Sequence, residues 1–271
     1  MRIYNSCVEQ TKNFVSDCGF SDVVIGLSGG IDSSLCAVIA KDALGAEHVH
    51  GVILPGPFSS KGSEKDAKAL AENLGIDIKT VSIDNPYTTC VKTLNKTIVD
   101  SDSENISDLT SQNIQARLRM IMIMAISNEN NWLMLNTANK SEVYTGYSTL
   151  YGDMAGAYAP IGSIYKCDVF KMCVAINMRE RRMFENKSDL IPQNIIDKPP
   201  SAELTKNQTD EKSLDIDYAT LDAILHEAID NNKSAQDIVF LGFNPKDVQN
   251  VFTKIKKSAF KRPYEPPSPK I

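Results

Sequence analysis

The chain has 271 residues, of which 42% are hydrophobic and 23% are charged, and its formal net charge is -5. This length suits one large α/β domain or at most two small ones, with a core that needs no metal or disulfide support. The acidic balance argues against a protein that mainly coats nucleic acid, and no apolar run is long enough to cross a membrane. We therefore expect a globular protein that binds neither nucleic acid nor a membrane.

The cysteines and histidines point to a reducing compartment and not to a metal centre. The six cysteines are scattered and form no C-x-x-C pair, which favours reduced thiols of a cytoplasmic protein over a disulfide framework. The first 20 residues have no continuous apolar core of the signal-peptide kind. His48, His50 and His226 show no metal-ligand spacing, so we expect structural roles for all three.

The first part of the chain alternates strand and helix patterns. Strands are predicted over 23–27, 48–54 and 78–83, and helices over 4–17, 32–44 and 63–74. Short apolar runs between glycine-containing turns are typical of buried parallel strands, and Gly45 and Gly75 are expected to end the helices before them. This alternation indicates βαβ units, and hence an α/β fold with a doubly wound parallel sheet flanked by helices.

A long helix predicted over 111–128 is apolar on more than one side. Its expected core face consists of Ile114, Leu118, Ile121, Met122 and Ala125, and its opposite side carries Met120, Ile123 and Met124. A helix that is apolar all round is normally buried all round. We therefore expect a second subunit to cover the opposite face and form a homodimer, with a later segment of the same chain as the alternative. The residues before it, 100–108, read as a loop.

The remaining chain contains a fourth strand, a long polar segment and further helices. The strand is predicted over 132–137 and is followed by loop-rich sequence up to Ile164. Segment 197–214 has no helix or strand period, which is typical of a functional lid or of disorder. Helices are predicted over 217–231, 234–241 and 245–257, and the Pro-rich tail 263–271 is expected to be extended. We expect residues 1–271 to form a single domain.

The sequence SGGIDSS, residues 28–34, lies between a predicted strand and a predicted helix. Its glycines allow a tight turn and close approach to a ligand, and the amides of the helix's first turn point at an anion. The segment lacks the Gly-Lys-Ser/Thr ending of nucleotide-triphosphate hydrolase loops, which suggests that pyrophosphate is held as a leaving group. Asp32 beside phosphates is favourable when Mg²⁺ bridges them. A plain Asp or Ser cap on a glycine turn is the simpler alternative.

SGGIDSS resembles the pyrophosphate loop of the ATP-pyrophosphatase superfamily, whose fold is adenine nucleotide alpha hydrolase-like. Three further blocks, NIQARLR at 113–119, NKSEVYTGYSTLYGDMAG at 139–156 and KPPSAEL at 198–204, are similar to NAD synthetase. The resemblance spans about residues 4–262. It implies a ligase that amidates deamido-NAD to NAD with ammonia through an adenylated intermediate, using ATP and Mg²⁺ and releasing AMP and pyrophosphate.

The resemblance also implies roles for individual residues. ATP contacts are expected from Ser28, Gly29, Gly30, Asp32, Ser33, Thr137, Lys166 and Ser201, and Mg²⁺ binding from Asp32 and Glu142. Lys166 would balance charge as the adenylate forms, and Asp153 would orient ammonium and accept its proton. A solvated lysine and a helix-terminal glutamate are the simpler alternatives for Lys166 and Glu142. Ser201 belongs to the proposed lid, whose closure would exclude water from the adenylate.

Two arginines on the long helix need separate assignments. Arg117 and Arg119 point about 200° apart on a helix, so they cannot clamp one phosphate together. Arg119 is expected to contact the dinucleotide or ATP. Arg117 is left for structure or for the partner subunit.

The sequence departs from the family pattern at two places and leaves the nitrogen donor open. Ala157 stands where many short ammonia-dependent members have a second aspartate, and Pro57-Phe58 stands where an arginine is common among glutamine-dependent relatives. Free ammonia is the expected donor, and a separate glutaminase is the alternative. Another ATP-pyrophosphatase, acting on a different carboxylate or on transfer RNA, and a non-catalytic nucleotide-binding module are the competing functions.

Overall fold

The computed structural model describes residues 1–98, 105–183 and 189–271 and contains a parallel sheet. Its strands are β1 Val23–Gly26, β2 Val49–Ile53, β3 Asp77–Thr80 and β4 Leu133–Met134. All neighbours are parallel and the order is β3-β2-β1-β4. From β1 the chain adds β2 and then β3 on one side of the sheet, and it later adds β4 on the other side of β1. The predicted doubly wound α/β sheet is therefore confirmed, and its carboxyl edge between β1 and β4 is the place where such sheets bind ligands.

Helices cover both faces of the sheet. They are α1 Arg2–Asp17, α2 Ile31–Leu44, α3 Lys61–Leu74, α4 Asp84–Thr97, α5 Asp108–Asn130, α6 Lys140–Thr145, α7 Lys166–Met183, α8 Gln193–Asp197, α9 Asp210–Leu214, α10 Tyr218–Leu225, α11 Ala235–Phe240 and α12 Pro245–Ser258. A π-helical turn, His226–Asp230, follows α10. Every predicted helix is present, with ends that differ by at most three residues where the π-helical turn is counted with α10. Gly75 ends α3 in the left-handed conformation, as predicted.

The alternation of side chains along β1 divides the interior into two layers. Val23 and Ile25 pack with α1, α2, α3 and α7 in the main core, whereas Val24 packs with Val52 and α5 on the other face. Successive strand residues point to opposite faces, and both faces are covered, so β1 is apolar at every position. A third cluster joins the helices of residues 214–251.

Helix α5 buries a face that only partly matches the predicted one: Leu118 is buried and Ile114 and Met122 pack against the core as expected, but other positions differ. Ile121 is 51% exposed and Ala125 is also exposed, although both were assigned to the core face. Ile123, assigned to the opposite side, is buried and lies close to Gly26 of β1. The assignment was wrong because the run MIMIM offers an apolar residue in every direction, so the helical period alone selects no face.

Several helices were not predicted. α6 lies inside the stretch read as loops, and α9 lies inside segment 197–214, where no helix was expected. Both corrections concern helices of five or six residues, too short for a periodic pattern. The longer α4 and α7 were also missed. α4 carries Tyr87, Cys90, Val91 and Leu94 at helical spacing, although none of its residues is fully buried. Of the loop expected over 100–108, residues 100–104 lie outside the described residues, and Asp108 already belongs to α5.

The chain's last residues return to its first helix. Arg262–Tyr264 forms a short 3-10 turn, and beyond it the tail contains no helix or strand. The backbone N–H of Lys270 donates to Gln10 Oε1 at 2.9 Å. None of the helices in the described ranges combines the length and apolar character that a membrane crossing requires.

Candidate active site

A cavity of about 310 Å³ lies at the carboxyl ends of β1, β2 and β4. Its walls come from the residues that follow these strands, from the first turns of α2, α6 and α7, and from segment 198–204. The predicted site residues that line it are Ser28, Gly30, Asp32, Ser33, Arg119, Thr137, Glu142, Asp153, Lys166 and Ser201. The sequence blocks, far apart along the chain, therefore meet at the edge where doubly wound sheets bind ligands.

The SGGIDSS segment folds as a tight loop ahead of α2. Gly30 occupies the N-cap position and has no side chain to cap the helix, which leaves the first-turn amides to an anion. Ser28 Oγ accepts the Gly30 N–H at 3.1 Å, and Ser33 Oγ donates to the Gly30 carbonyl at 3.1 Å. These hydroxyls brace the loop from within. The geometry is that of a preformed anion cradle.

Gly29 is the tightest point of this loop, although it does not line the cavity. Its φ is +75°, in the left-handed region, and a Cβ there would overlap the carbonyl oxygen of Ser63 in the first turn of α3. Only glycine satisfies both conditions without strain. The SGGIDSS loop and α3 are therefore in direct backbone contact.

Lys166 forms the centre of a buried ionic cluster. It is 1% exposed, and its Nζ donates to Asp32 Oδ2 at 2.5 Å and lies 3.8 Å from Glu142 Oε1. Asn139 fixes the other Asp32 oxygen through a 2.9 Å bond from Nδ2 and forms a capping box with Glu142 at the start of α6. The burial of Lys166 excludes a solvated surface lysine. Glu142 does cap α6, as the simpler alternative had it, but its carboxylate also lies near Lys166.

The ionic cluster shifts the pKa values of its members. Burial raises the pKa of Glu142 well above its usual range, Asp32 raises it further, and Lys166 opposes them. Burial lowers the pKa of Lys166, but the carboxylates of Asp32, Glu142 and Asp210 outweigh it, so the pKa of the ammonium is raised. Lys166 is therefore a permanent cation that is outnumbered by carboxyl groups.

Asp210 is a residue of this cluster that the sequence did not reveal. It begins α9, is buried, and accepts a hydrogen bond from Tyr218 Oη at 3.1 Å. Its pKa is raised by burial and lowered in part by Lys166. Its other carboxyl oxygen is buried without a hydrogen-bond partner among the described residues. The only available signal was an acid in a polar segment, which is too common to single out.

The donor chemistry of the cluster suits a hard divalent cation. Asp32, Glu142 and Asp210 lie around one ammonium, so carboxyl groups outnumber cations, and the orphaned Asp210 oxygen has unused acceptor capacity. Magnesium prefers oxygen ligands, of which a protein commonly supplies one or two carboxylates. In the described ranges no three such side chains are spaced as a closed metal centre. Phosphate oxygens would have to complete the coordination.

Asp153 is held at the opposite wall of the cavity. Its Oδ1 accepts the Thr149 N–H at 2.6 Å, and Asn136 Nδ2 donates to its backbone carbonyl at 2.8 Å. Asp153 is exposed at the cavity. The protein atoms crowded around its carboxylate raise its pKa to about 6 by desolvation, against the Thr149 hydrogen bond and the charges of Lys261 and Arg119. Lys261, which the sequence reading missed, donates to the carbonyl of Gly146 at 2.9 Å.

The two arginines of α5 occupy separate environments. Arg119 reaches the cavity, donates from Nε to the Leu54 carbonyl at 3.0 Å and lies 3.4 Å from Ser59 Oγ. Its guanidinium thus stands beside the loop that contains Pro57 and Phe58. Arg117 is exposed and donates to the Leu150 carbonyl at 3.2 Å. Their separation agrees with the helical geometry expected of positions 117 and 119.

Thr137 and Ala157 lie in different surroundings. Thr137 follows β4 and lines the cavity. Ala157 instead donates its N–H to the Met134 carbonyl at 2.8 Å and packs against the main core. The position that departs from the short ammonia-dependent members therefore serves packing in this chain.

A family model described as NAD synthase matches residues 3–265. The chain belongs to the NAD synthase family. It is 44% identical over 269 residues to the glutamine-dependent NAD(+) synthetase of Rhodobacter capsulatus, covering 99% of this chain and 48% of that protein. For the enzyme of the same description in Thermotoga maritima, the identity is 42% over 260 residues, with coverages of 96% and 43%. The chain thus spans about half the length of these curated relatives.

Solved structures of this type share the fold. An NMN synthetase from Francisella tularensis is 27% identical with a TM-score of 0.79, and an NH3-dependent NAD synthetase from Campylobacter jejuni is 28% identical with a TM-score of 0.73. Each comparison covers 96% of this chain and 94% of the other. The predicted ATP-pyrophosphatase type of fold is confirmed by these neighbours.

Proposed function

We propose that the chain catalyses the ATP-dependent amidation of deamido-NAD to NAD through an adenylated intermediate, with release of AMP and pyrophosphate. The observation that carries the proposal is the placement of buried Lys166, between Asp32 and Glu142, beside the SGGIDSS loop. A permanent cation next to an anion cradle suits a reaction in which phosphate charge is redistributed. Membership of the NAD synthase family supports the same reaction.

The adenylation half-reaction uses the loop and the ionic cluster. First-turn amides of α2 and the hydroxyls of Ser28 and Ser33 bind the diphosphate that departs. Mg²⁺, when held by Asp32 and Glu142, supplies charge neutralisation for the phosphate oxygens. Lys166 balances negative charge on the phosphorus under attack. Thr137 and Ser201 line the cavity nearby and belong to the same ATP site.

The amidation half-reaction uses the wall that carries Asp153. Its carboxylate orients ammonium, accepts a proton from it, and so leaves the neutral amine that attacks the adenylate. A pKa of about 6 keeps this group ionised at neutral pH yet basic enough to accept a proton. Arg119, near the same carboxylate, binds an anionic group of the dinucleotide.

Free ammonia is the nitrogen donor that we propose for this chain. The Campylobacter jejuni neighbour is described as NH3-dependent. The Rhodobacter capsulatus relative is described as glutamine-dependent and is about twice as long as the region it shares with this chain. Ammonia delivered by a glutaminase, on another chain or on a further segment, is the alternative donor route.

A mononucleotide substrate is the second candidate. The Francisella tularensis neighbour is described as an NMN synthetase and has a TM-score of 0.79. The corresponding acid would be nicotinic acid mononucleotide, which offers the same carboxylate without the adenylyl half. The two substrates therefore place different demands on the cavity wall around Arg119.

A product assay decides between these functions. The purified chain is incubated with ATP and Mg²⁺, with either deamido-NAD or nicotinic acid mononucleotide, and with either ammonium or glutamine; NAD, NMN and AMP are quantified. We expect NAD from deamido-NAD with ammonium and little with glutamine. Preferred formation of NMN would show that nicotinic acid mononucleotide is the substrate in place of deamido-NAD. Equal rates with glutamine and ammonium would contradict free ammonia as the donor. AMP release that requires neither acid would overturn the amidation proposal.

We also propose a cytoplasmic homodimer. Arg117, Ile121 and Ala125 form an exposed stripe along α5, and the 51% exposed Ile121 lies at its middle. A second copy packed on this stripe would bury it. All six cysteines are free thiols, as a reducing compartment requires. Sedimentation velocity should give the mass of two chains; the mass of one chain across the micromolar range would contradict the dimer.

A further inference from the structure

The lid segment, residues 198–209, contacts the body of the protein at several points, and the carboxylate of Glu203 makes three of these hydrogen bonds. Glu203 Oε1 accepts hydrogen bonds from Ser60 Oγ at 2.9 Å and from Ser63 Oγ at 2.8 Å. Its Oε2 accepts the backbone N–H of Ser60 at 3.0 Å. The donors therefore bracket both carboxylate oxygens, although Glu203 lies 140 and 143 residues away along the chain.

The docking point is the beginning of α3, a helix of 14 residues. Ser60 is its N-cap and accepts the Ser63 N–H at 3.0 Å, so the same two serines that cap the helix also hold the carboxylate. The positive end of the helix dipole favours an anion at this position. Charge-assisted hydrogen bonds of this kind are stronger than neutral ones.

The lid segment is shaped to present Glu203. Its φ is +48°, in the left-handed region that non-glycine residues seldom adopt. Ser201 Oγ accepts the Glu203 N–H at 3.1 Å, and Gln208 Oε1 accepts the N–H of Leu204 at 2.8 Å. Gln115 of α5 donates to the Leu204 carbonyl at 3.0 Å. The unfavourable backbone conformation is held by contacts on both sides of it.

The same turn of α3 supports the phosphate-binding loop. Ser63 carries the carbonyl oxygen against which Gly29 packs, and its hydroxyl also accepts a 3.1 Å bond from Lys198 Nζ. Lid segment, helix start and loop thus meet at one residue. Ser63 is therefore the only residue between Glu203 and the SGGIDSS loop along this path, so a change at Glu203 can alter the loop through Ser63.

We propose that Glu203 is a positioning residue, the latch that holds the lid segment closed over the cavity. In the closed arrangement Pro200, Ser201 and Leu204 line the cavity and cover the place where the adenylate would form. Release of the carboxylate from Ser60 and Ser63 opens this cover and admits water, which hydrolyses the adenylate to AMP without amide formation. This last consequence rests on the proposed function; the latch itself rests on geometry alone.

The first test measures the lid without any reaction. Hydrogen–deuterium exchange of residues 199–209 is compared in the free protein for wild type, Glu203→Ala and Glu203→Gln. Glu72→Gln is the control, because Glu72 is an exposed glutamate on α3, the helix that Glu203 contacts. We expect exchange about tenfold faster in Glu203→Ala, an intermediate effect in Glu203→Gln, and wild-type exchange in the control. Trypsin cleavage after the exposed Lys206 should accelerate in the same order.

The second test measures coupling. The ratio of AMP to NAD formed should rise severalfold in Glu203→Gln and remain at the wild-type value in Glu72→Gln. Ser63→Ala changes no residue of the lid segment but removes the hydroxyl that binds both Glu203 and Lys198. It should reproduce both effects in part, which covers the case in which a Glu203 variant fails to fold. Unchanged exchange together with an unchanged ratio would overturn the latch. A wild type that makes no NAD would refute the amidation, while the exchange result would still decide the latch.

Discussion

The two ends of the parallel sheet carry the same kinds of charged side chains in opposite surroundings. At the carboxyl end, Lys166 is buried against Asp32 and Glu142. At the amino end, Asp22 precedes β1 and pairs with His48 Nδ1 at 3.3 Å and His50 Nε2 at 3.1 Å. The Lys166 contacts are ion pairs, whereas the Asp22 contacts are hydrogen bonds to histidine rings that carry charge only when protonated.

Burial and charge balance separate the two ends. The side chain of Asp22 is 30% exposed and that of His48 is 39% exposed, so water reaches the shared carboxylate and screens the pairing, although His50 is only 14% exposed. The Lys166 cluster is enclosed and holds more carboxyl groups than cations. Proximity of opposite charges therefore does not identify a site, whereas enclosed, unbalanced charge at a ligand-binding edge does.

Removal of the Lys166 ammonium should have the largest effect. Lys166→Met leaves buried carboxylates without their cation, so we expect the free energy of unfolding to fall by about 3–5 kcal/mol. Amidation should fall by about 10²–10³-fold as charge stabilisation is lost. Urea unfolding and NAD formation measure the two effects. Lys171→Met is the control, because that exposed lysine on the same helix pairs with Asp168 in solvent and should cost less than about 1 kcal/mol.

The Asp153 carboxylate should impose a pH dependence on the carboxyl end alone. Because its pKa is about 6, kcat/KM for amidation should rise as pH increases through 6, and Asp153→Asn should abolish this limb and most of the activity. The raised pKa means that this group stabilises the folded state below pH ~4 and that this contribution is lost as pH rises through 6.

A loss of activity at low pH therefore cannot arise from unfolding driven by Asp153, since that carboxyl acts on stability in the opposite direction. Circular dichroism at each pH provides the control. An activity profile that is flat between pH 5 and 7 in the wild type would contradict the assignment of Asp153 as proton acceptor.

The smallest effect is expected at the amino end. Asp22→Asn should lower the free energy of unfolding by about 0.5 kcal/mol and leave amidation unchanged. Burial would raise the pKa of Asp22, but hydrogen bonds from His50 and His48 outweigh it and lower the pKa. Its contribution is therefore present above pH ~4 and is lost as pH falls, which pH-dependent urea unfolding measures. A large loss of amidation would show that the two ends are not independent.

The sequence predicted the parts of the site that are continuous in the chain. SGGIDSS combines an apolar strand, a glycine turn and a helix start within a few residues, so its geometry could be read directly. Lys166 has no such context and was found only through resemblance. Asp210 and Glu203 reach the site because the lid segment and the start of α9 fold back over it, with contacts to residues far away in sequence. No local pattern encodes such a return.

The fold was predictable for similar reasons. The βαβ alternation determined the parallel sheet, since each strand and its helix lie next to each other in sequence. The buried face of α5 was not predictable, because Ile121 and Ile123 are equivalent in the pattern and only the neighbouring glycine of β1 admits one of them. Helix α4 was predictable but overlooked: Tyr87, Cys90, Val91 and Leu94 repeat at helical spacing, although none of its residues is fully buried.

The contact between Gly29 and the carbonyl of Ser63 sets a limit on redesign of this protein. Since not even a methyl group fits there, the cradle cannot be narrowed by substitution of Gly29 without displacing α3. A leaving group of another size would require the whole helix to be re-seated. Efforts to change nucleotide preference should therefore begin at the base and sugar, and inhibitors that keep the diphosphate should meet little resistance from mutations at this point.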